Sequence, residues 1–351
     1  MIENRKSDHV NIVLNNDVKS HYNYWDDISI IHQSMPEVDY DEIDTSVDFL
    51  GRRLKYPIII ESMTGGFPGS EKINENIAKV AADLGIGMGV GSMRVLLKNK
   101  DVENTFKVVK NYDIPLKIAN IGAPQLIKQK NEDPIKDEDL TYLIDVINAN
   151  FIAIHFNFLQ EIVQPEGDRN SKGIENRLMS ICKNFPTIIK ETGAGIDYNT
   201  ALKLKRMGTL AIDVSGVSGT SFAAVEYYRA LEKNDQRGIR LGKTFWDWGI
   251  PSPYAVYTVK KVNTKIIASG GIRNGLDIAR AIMMGADIAG IAANLLKNAS
   301  ESYESLKNEI LLIIEELKST MFLTGSKNID ALSKKKYIIT GRLKEWMELN
   351  I

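Results

Sequence analysis

The chain alternates short apolar runs with stretches of helical periodicity. The apolar runs are mostly β-branched, are bounded by Gly, Pro or Asn, and have the length of strands. They cover residues 57–61, 86–90, 116–120, 151–156, 187–190, 210–214, 266–268 and 287–291. Helices are predicted between them at 72–84, 102–111, 137–149, 174–184, 199–207 and 274–284, and at 254–262 within a long insertion, 216–264. Eight βα units in order predict an α/β fold, a TIM (β/α)8 barrel, and a doubly wound open sheet is the alternative.

The segment 265–293 carries the clearest chemical pattern. It reads as strand, glycine turn, helix, strand and a second turn, with Gly270 and Gly271 ending the first of these strands. Two such turns at the ends of neighbouring parallel strands gather backbone N–H groups around one point, which is how proteins hold a phosphate. In a TIM barrel that site follows strands seven and eight, which are the positions these two strands take in the chain.

Length and composition limit the remaining possibilities. The 351 residues exceed the roughly 250 that a barrel needs, so we predict a single domain. Its parts are an N-terminal extension at 1–56, barrel strands within 57–293 and a C-terminal helical region at 294–351. A net charge of −1 gives no indication of a nucleic-acid partner, and no apolar run approaches a membrane span. One cysteine and a polar N-terminus, unlike a signal peptide, lead us to expect a cytoplasmic protein.

Polar and glycine residues follow the predicted strands at the ends that would form the barrel mouth, where catalytic residues of this fold lie. They fall at 62–66, 91–94, 120–123, 155–161, 190–193 and 215–220. Lys190 ends an apolar strand, where its charge needs a partner, and both the neighbouring Glu191 and an anionic ring could be that partner. His155 has two interpretations, a functional group beside Asn157 or a hydrogen-bonded core histidine.

Several of these segments match one known family. The matching motifs are RKSDH at 5–9, MTGG at 63–66, GSMR at 91–94, ANIGA at 119–123, HFNFLQEIVQPEGD at 155–168, KETG at 190–193, DVSGVSGTS at 213–221, WGIPS at 248–252 and SGGIRNGLDIARAIMMGAD at 269–287. On these residues the chain resembles, almost from end to end, the type 2 (FMN-dependent) isopentenyl-diphosphate delta-isomerases. Two departures stand out: Met93 occupies a position where the family commonly has Gln, and Ala293 one where it often has Arg.

The resemblance implies an isomerase that interconverts isopentenyl diphosphate and dimethylallyl diphosphate without net redox change. It implies reduced FMN as acid and base, Mg²⁺ on the diphosphate, NADPH or NADH as reductant, and a homo-oligomer, either a tetramer or an octamer. An electron-rich reduced ring can stabilise cationic character beside the alkene. Because an amide is a poor base, the flavin is expected to transfer the proton, with Gln160 positioning substrate or belonging to a proton relay.

The resemblance also implies a role for each matching residue. Residues expected around the FMN ring are Met63, Thr64, Gly65, Ser92, Asn120, Lys190, Ser215 and Thr220, and those around its phosphate are Gly270, Gly271, Ile272, Arg273, Ala292 and Ala293. Residues expected on the substrate are Arg5, Lys6, Ser92, Met93, Arg94, His155, Asn157 and Gln160. The catalytic residues are expected to be Gln160, Lys190 and His155, and Glu161 is expected to bind Mg²⁺.

The N-terminal extension is open to two interpretations. Composition alone would assign Arg5 and Lys6 to a disordered terminus, whereas the resemblance assigns them to the substrate. They lie about 50 residues before the first predicted strand at 57–61. The extension is therefore expected to fold over the barrel mouth or to reach the mouth of a neighbouring subunit, where closure would exclude water.

Two other functions are compatible with the fold: an FMN-dependent oxidoreductase of the TIM-barrel class, and a non-catalytic barrel that binds a phosphorylated ligand. A flavin 2-hydroxy-acid oxidase needs a histidine base near the late strands, but the insertion at 216–264 contains no histidine. Cys182 lies in a helical pattern, which does not suit the nucleophilic loop cysteine of an IMP dehydrogenase or the acid of a dihydrouridine synthase. The presence of Gln160, Glu161 and Lys190 together argues against a non-catalytic barrel.

Overall fold

Eight parallel strands form a closed barrel in the computed structural model, which describes residues 2–349 and the side chains of residues 5–349. The strands are β1 Ile58–Ile60, β2 Gly87–Gly89, β3 Leu116–Gly122, β4 Phe151–Phe156, β5 Thr187–Glu191, β6 Ala211–Asp213, β7 Lys265–Ala268 and β8 Ile288–Ile291. Each pairs with its neighbours in the chain, and β8 closes the ring on β1 with Gly290 opposite Ile59. The predicted TIM barrel is confirmed, and the open sheet is excluded.

Helices surround the barrel and form its two extensions. The α-helices are α1 Ile2–Asn15, α2 Ser70–Leu84, α3 Asn104–Lys107, α4 Asp137–Ile147, α5 Phe158–Val163, α6 Ile174–Asn184, α7 Tyr198–Met207, α8 Phe222–Glu232, α9 Gln236–Thr244, α10 Ser252–Lys260, α11 Gly275–Met284, α12 Ala293–Glu301, α13 Tyr303–Leu323, α14 Ile329–Ser333 and α15 Gly341–Met347. None of the described helices combines the length and apolar character that crossing a membrane requires.

The helix predictions need two corrections. The helix predicted at 102–111 is only the short α3, between 3₁₀ turns at Lys100–Val102 and Val108–Asn111. The insertion at 216–264, for which one helix was predicted, holds α8 and α9 as well as α10. By contrast, Asn274 caps α11 as predicted, because its side chain accepts the Asp277 N–H across 2.9 Å.

The barrel interior is packed at one end and open at the other. Phe49 and Leu54, fully buried, come from the hairpin of strands Val47–Phe49 and Arg52–Leu54. They pack in one cluster with inward side chains of the barrel, including Ile59. Burying an aromatic or leucine side chain contributes about 1.5–3 kcal/mol. The hairpin closes this end, so polar groups that follow the carboxyl ends of the strands are left to line the opposite mouth.

The N-terminal extension crosses that mouth. Ile12 of α1 is buried in a cluster with Ala224 and Val225 of α8, while Val10 packs with Phe67 and Leu296. Residues 19–28, which we call the strap, continue along the loops that follow β6 and β7. The extension then joins the C-terminal region, where strand Ile28–Ile30 pairs antiparallel with Tyr337–Ile339.

Candidate active site

One cavity of about 440 Å³ lies at the mouth of the barrel, beneath α1. It is lined by all but one of the residues predicted from the sequence, namely Arg5, Lys6, Met63, Thr64, Gly65, Ser92, Arg94, Asn120, His155, Asn157, Gln160, Glu161, Lys190, Ser215, Thr220, Gly270, Gly271, Ile272, Arg273, Ala292 and Ala293. Met93 is the exception. Its side chain is fully buried in the core beside Val95 and Leu96 and does not line the cavity, so the substrate contact expected of it has no structural support.

Lys190 lies on the cavity floor between two carboxylates. Its Nζ is 2.5 Å from Glu61 Oε2 and 2.5 Å from Asp213 Oδ2. Burial lowers the pKa of Lys190, but the attraction of Asp213 and Glu61 outweighs it, and the pKa lies above its ordinary value. The floor therefore carries a cation fixed in position.

Both partners of Lys190 were missed from the sequence. Burial, followed by repulsion from Glu61, raises the pKa of Asp213 to about 7 despite the nearby lysine, and Ser269 donates to the same carboxylate. Glu61 Oε1 is buried and has no hydrogen-bond partner among the described residues. The signal was present, because both acids end barrel strands or follow them directly, as the predicted site residues do.

Glu191 is not the partner of Lys190. Its Oε2 accepts the backbone N–H groups of Thr192, Gly193 and Ala194 at 2.6, 2.7 and 2.5 Å. Burial raises the pKa of Glu191 to about 7, although these donors oppose the shift. This carboxylate thus organises the loop after β5, and the alternative of a Lys190–Glu191 ion pair is incorrect.

His155 is held as a neutral acceptor. Asn120 donates its Nδ2 hydrogen to Val90 O across 3.1 Å, so its Oδ1 is the acceptor for His155 Nδ1, 2.7 Å away. This network assigns the proton to Nδ1 and leaves the Nε2 lone pair free of it. Burial, assisted by the charges of Lys190 and Lys6, lowers the pKa of His155 to about 3. The ring therefore stays uncharged at neutral pH.

A hydrogen-bonded chain orients Gln160. Its Nε2 donates to Glu226 Oε1 across 2.9 Å, and Asn157 Nδ2 lies 3.3 Å from its Oε1. His9 of α1 also reaches Glu226 Oε1, at 2.8 Å. His9 and Glu226 were not among the predicted site residues. Glu226 thus links His9 of the N-terminal helix to the Gln160 side chain.

Glu161 is buried beside this chain. Its Oε1 accepts from Asn157 across 2.8 Å, and its Oε2 accepts from the backbone N–H of Asp168 across 2.7 Å and from Gln164. Burial raises the pKa of Glu161, although these hydrogen bonds oppose the shift. Among the described residues no group of three or more His, Cys, Asp or Glu side chains is arranged to hold a metal ion. A metal at Glu161 would thus need oxygens from a ligand or from water.

Two of the three predicted substrate cations, Lys6 and Arg94, already have partners within the protein. Lys6 Nζ donates to the carbonyls of Gly65, at 2.6 Å, and Ser92. Burial, reinforced by Arg5, lowers the pKa of Lys6 to about 7. Arg94 pairs with Glu132 and with Asp168, the latter at 2.8 Å. An anionic ligand would therefore have to compete with these two carboxylates for the guanidinium.

The glycine turn after β7, which we call the phosphate turn (residues 270–273), has the backbone that was expected. Gly270 and Gly271 have φ of 82° and 88°, where a side chain is strained. A Cβ on Gly270 would lie 2.6 Å from Gly216 O. Arg273 is otherwise engaged: its guanidinium pairs with Asp26 at 2.5 Å and Asp277 at 2.8 Å. Its backbone N–H also donates to Asp277, so a phosphate contact from Arg273 has no support.

The chain is similar to known proteins both in sequence and in fold. A family model described as FMN-dependent dehydrogenase matches residues 251–339. An isopentenyl-diphosphate delta-isomerase of Picrophilus torridus is 52% identical over 99% of both chains, and one of Archaeoglobus fulgidus is 42% identical over 98% of both. Among solved structures, a mandelate oxidase with (S)-mandelic acid has a TM-score of 0.61 at 16% identity, covering 90% of this chain and 88% of that chain. Another, with a monooxide FMN adduct, has a TM-score of 0.60 at 15% identity, covering 90% of each. At 15–16% identity, the similarity to these two structures establishes a common fold and nothing more.

Proposed function

The chain belongs to the family of isopentenyl-diphosphate delta-isomerases, and we propose that it uses reduced FMN as acid and base, with Mg²⁺ on the substrate diphosphate and no net oxidation. The observation that carries the mechanism is that one cavity joins the phosphate turn to a group of three cations, Arg5, Lys6 and Arg94. Such a cavity suits a phosphorylated cofactor together with a second, more strongly anionic ligand.

The residues fit FMN in two places. At the phosphate turn, a Cβ at Gly270 or Gly271 would collide with Gly216 or Ser218, so glycine lets the turn pack closely on the loop after β6. Helix α12 begins nearby at Ala293, and its Asn294 donates to Ile272 O of the turn across 3.0 Å. At the floor, Lys190 is held positive by Glu61 and Asp213. Its ammonium could donate a hydrogen bond to an anionic ring atom, while Glu61 and Asp213 offset its charge. When bound, reduced FMN supplies an electron-rich ring whose N5 can exchange a proton with the substrate alkene.

The diphosphate end of the substrate would meet the cations that α1 brings to the mouth. Lys6 and Arg5 come from the N-terminal helix, and Arg94 follows β2. Glu161 would reach Mg²⁺ already carried by the diphosphate, since a hard cation accepts carboxylate and phosphate oxygens together. A ligand that brings its own oxygens is consistent with the lack of a three-ligand cluster among the described side chains.

The protein groups around the alkene would orient it without being strong bases. His155 is neutral and presents Nε2 as an acceptor, so it can receive a hydrogen bond from the reduced flavin ring or from water. Isopentenyl diphosphate offers no such donor at neutral pH, so His155 would contact it through van der Waals packing. Gln160 is fixed by Asn157 and Glu226, which sets the direction of its amide. An amide does not take up a proton near neutral pH, so we assign to Gln160 a positioning role.

A second candidate is an FMN-dependent oxidoreductase, which the family-model match at 251–339 favours. The sequence has four histidines, and none lies in the 216–264 insertion where the base of a hydroxy-acid oxidase is expected. We therefore place the isomerase first.

Product analysis separates the two. The protein is incubated with isopentenyl diphosphate, FMN, Mg²⁺ and dithionite or NAD(P)H, and dimethylallyl diphosphate is measured. We expect product with reductant needed only in catalytic amounts. Absence of dimethylallyl diphosphate would refute the isomerase, and consumption of one NADPH for each product molecule would favour the oxidoreductase.

A further inference from the structure

Two side chains of the strap hold the carbonyls of the phosphate turn. The indole Nε1 of Trp25 donates to Gly270 O across 2.9 Å, and Asn23 Nδ2 donates to Gly271 O across 2.9 Å. Trp25 is fully buried, so its indole has a single, fixed orientation. Neither residue belongs to the motifs that predicted the cofactor site.

Because a peptide bond is planar, these contacts also fix the directions of the Gly271 and Ile272 N–H groups. In a trans peptide the C=O and the following N–H point in opposite directions, and no described peptide bond is cis. Fixing Gly270 O and Gly271 O toward the strap therefore directs the N–H groups of Gly271 and Ile272 away from it. Both residues line the cavity. Neither N–H has a hydrogen-bond acceptor among the described residues.

The strap is itself fixed to the neighbouring loop. Ser20 donates its backbone N–H to Gly219 O across 2.7 Å, and Tyr24 N–H donates to Ser218 Oγ across 3.2 Å. Asn23 also caps the following 3₁₀ turn by accepting the Trp25 N–H across 3.0 Å. The strap is thus held in place by the loop after β6, independently of its contacts with the phosphate turn.

We propose that Trp25 and Asn23 are positioning residues for the cofactor phosphate: they hold two carbonyls of the turn so that Gly271 and Ile272 present their N–H groups to it. This inference rests on the proposed FMN site. Two consecutive glycines have large conformational freedom, which binding would have to restrict. A turn already fixed by outside donors loses less of that freedom, and its affinity for phosphate is higher.

Riboflavin provides the test because it is FMN without the phosphate. Dissociation constants of both flavins are measured by fluorescence quenching on flavin-free protein. We expect Trp25→Phe to raise the Kd of FMN about tenfold and to leave that of riboflavin unchanged. Asn23→Ser keeps an oxygen for the N-cap but removes the amide donor, and the same selective effect is expected.

Trp246→Phe is the matched control. Trp246 Nε1 donates to Lys19 O across 2.8 Å, so this variant also removes an indole hydrogen bond to a backbone carbonyl, but that carbonyl belongs to the strap and not to the phosphate turn. It should bind both flavins as the wild type does.

The outcomes are distinguishable. An unchanged Kd for FMN in the Asn23→Ser variant, or an equal loss for FMN and riboflavin, would overturn the inference. The Asn23→Ser measurement decides the question even if Trp25→Phe fails to fold. If the wild-type protein binds riboflavin as tightly as FMN, the phosphate site of the proposed function is itself wrong.

Discussion

His155 and Asn120 are joined by a hydrogen bond of 2.7 Å between Nδ1 and Oδ1, which fixes one tautomer of the imidazole in the cavity wall. The contact spans neighbouring strands, because His155 lies on β4 and Asn120 on β3. The ring is half-buried, and a pKa lowered to about 3 keeps it neutral well below pH 7.

This neutrality predicts an acid-sensitive contribution to stability. The pKa of an unfolded histidine is 6.5 and that of folded His155 is about 3, so the unfolded chain binds more protons between these values. The contribution of His155 to the free energy of unfolding is therefore fully present above about pH 6.5 and is lost as the pH falls below it. By about pH 5 the loss should reach roughly 2 kcal/mol. Urea unfolding of wild type and His155→Gln at about pH 7.5 and 5 measures it, and parallel losses in the two proteins would contradict the prediction.

A second prediction concerns the ion pairs of Lys190. Lys190→Met leaves the Glu61 and Asp213 carboxylates buried without a counter-ion, which typically destabilises a protein by about 3–5 kcal/mol. The pKa of Asp213 is already raised to about 7 and should rise further, so the destabilisation should grow as the pH increases through that range.

The double variant Lys190→Met/Asp213→Asn separates stability from activity. It removes one of the two buried charges and should recover part of the free energy of unfolding. Isomerase activity, which we expect Lys190→Met to abolish, should not return. Activity in the double variant would show that the lysine charge is not needed.

A third prediction concerns the metal. Glu161→Gln preserves size but removes the charge of a buried carboxylate. We expect kcat/KM to fall on the order of 10²-fold or more, with a weaker Mg²⁺ dependence and unchanged FMN binding. Glu138→Gln, on the exposed face of α4, is the matched control and should behave as wild type. An unchanged Mg²⁺ titration midpoint for Glu161→Gln would remove this residue from the site.

A fourth prediction concerns the N-terminal helix. Deleting residues 1–8 removes Arg5 and Lys6 but retains Val10 and Ile12, which anchor the extension to the barrel. The shortened protein should fold and bind FMN but show no turnover. Circular dichroism, flavin absorbance and the isomerase assay measure the three properties. Wild-type turnover would mean that α1 supplies no substrate contact.

The sequence predicted the barrel well because each strand is a local signal. Buried parallel strands are continuous apolar runs, and turn residues bound them. Helix α9 was missed because Gly238 and Gly242 lower its helical propensity. Its glycines instead allow close packing on α8, where a Cβ on Gly242 would lie 2.6 Å from Tyr227 Cβ. That tertiary contact, which the local pattern does not show, determines the helix.

The sequence predicted which residues line the candidate site, but it did not predict the hydrogen-bond and ion-pair partners of those residues. Lys190 and His155 lie near the carboxyl ends of strands and Gln160 follows one, so the fold alone sends them to one mouth. Their partners are distant in sequence: Glu61 is 129 residues from Lys190, and Glu226 is 66 from Gln160. Only closure of the barrel and the packing of α8 bring these groups together.

The environment of Lys6 has a calorimetric consequence. With a pKa of about 7, this half-buried ammonium is partly deprotonated near neutral pH. A diphosphate bound beside it would raise that pKa, so ligand binding there would draw a proton from the buffer. The observed heat of binding would then vary with the ionisation enthalpy of the buffer, and the slope would count the protons taken up.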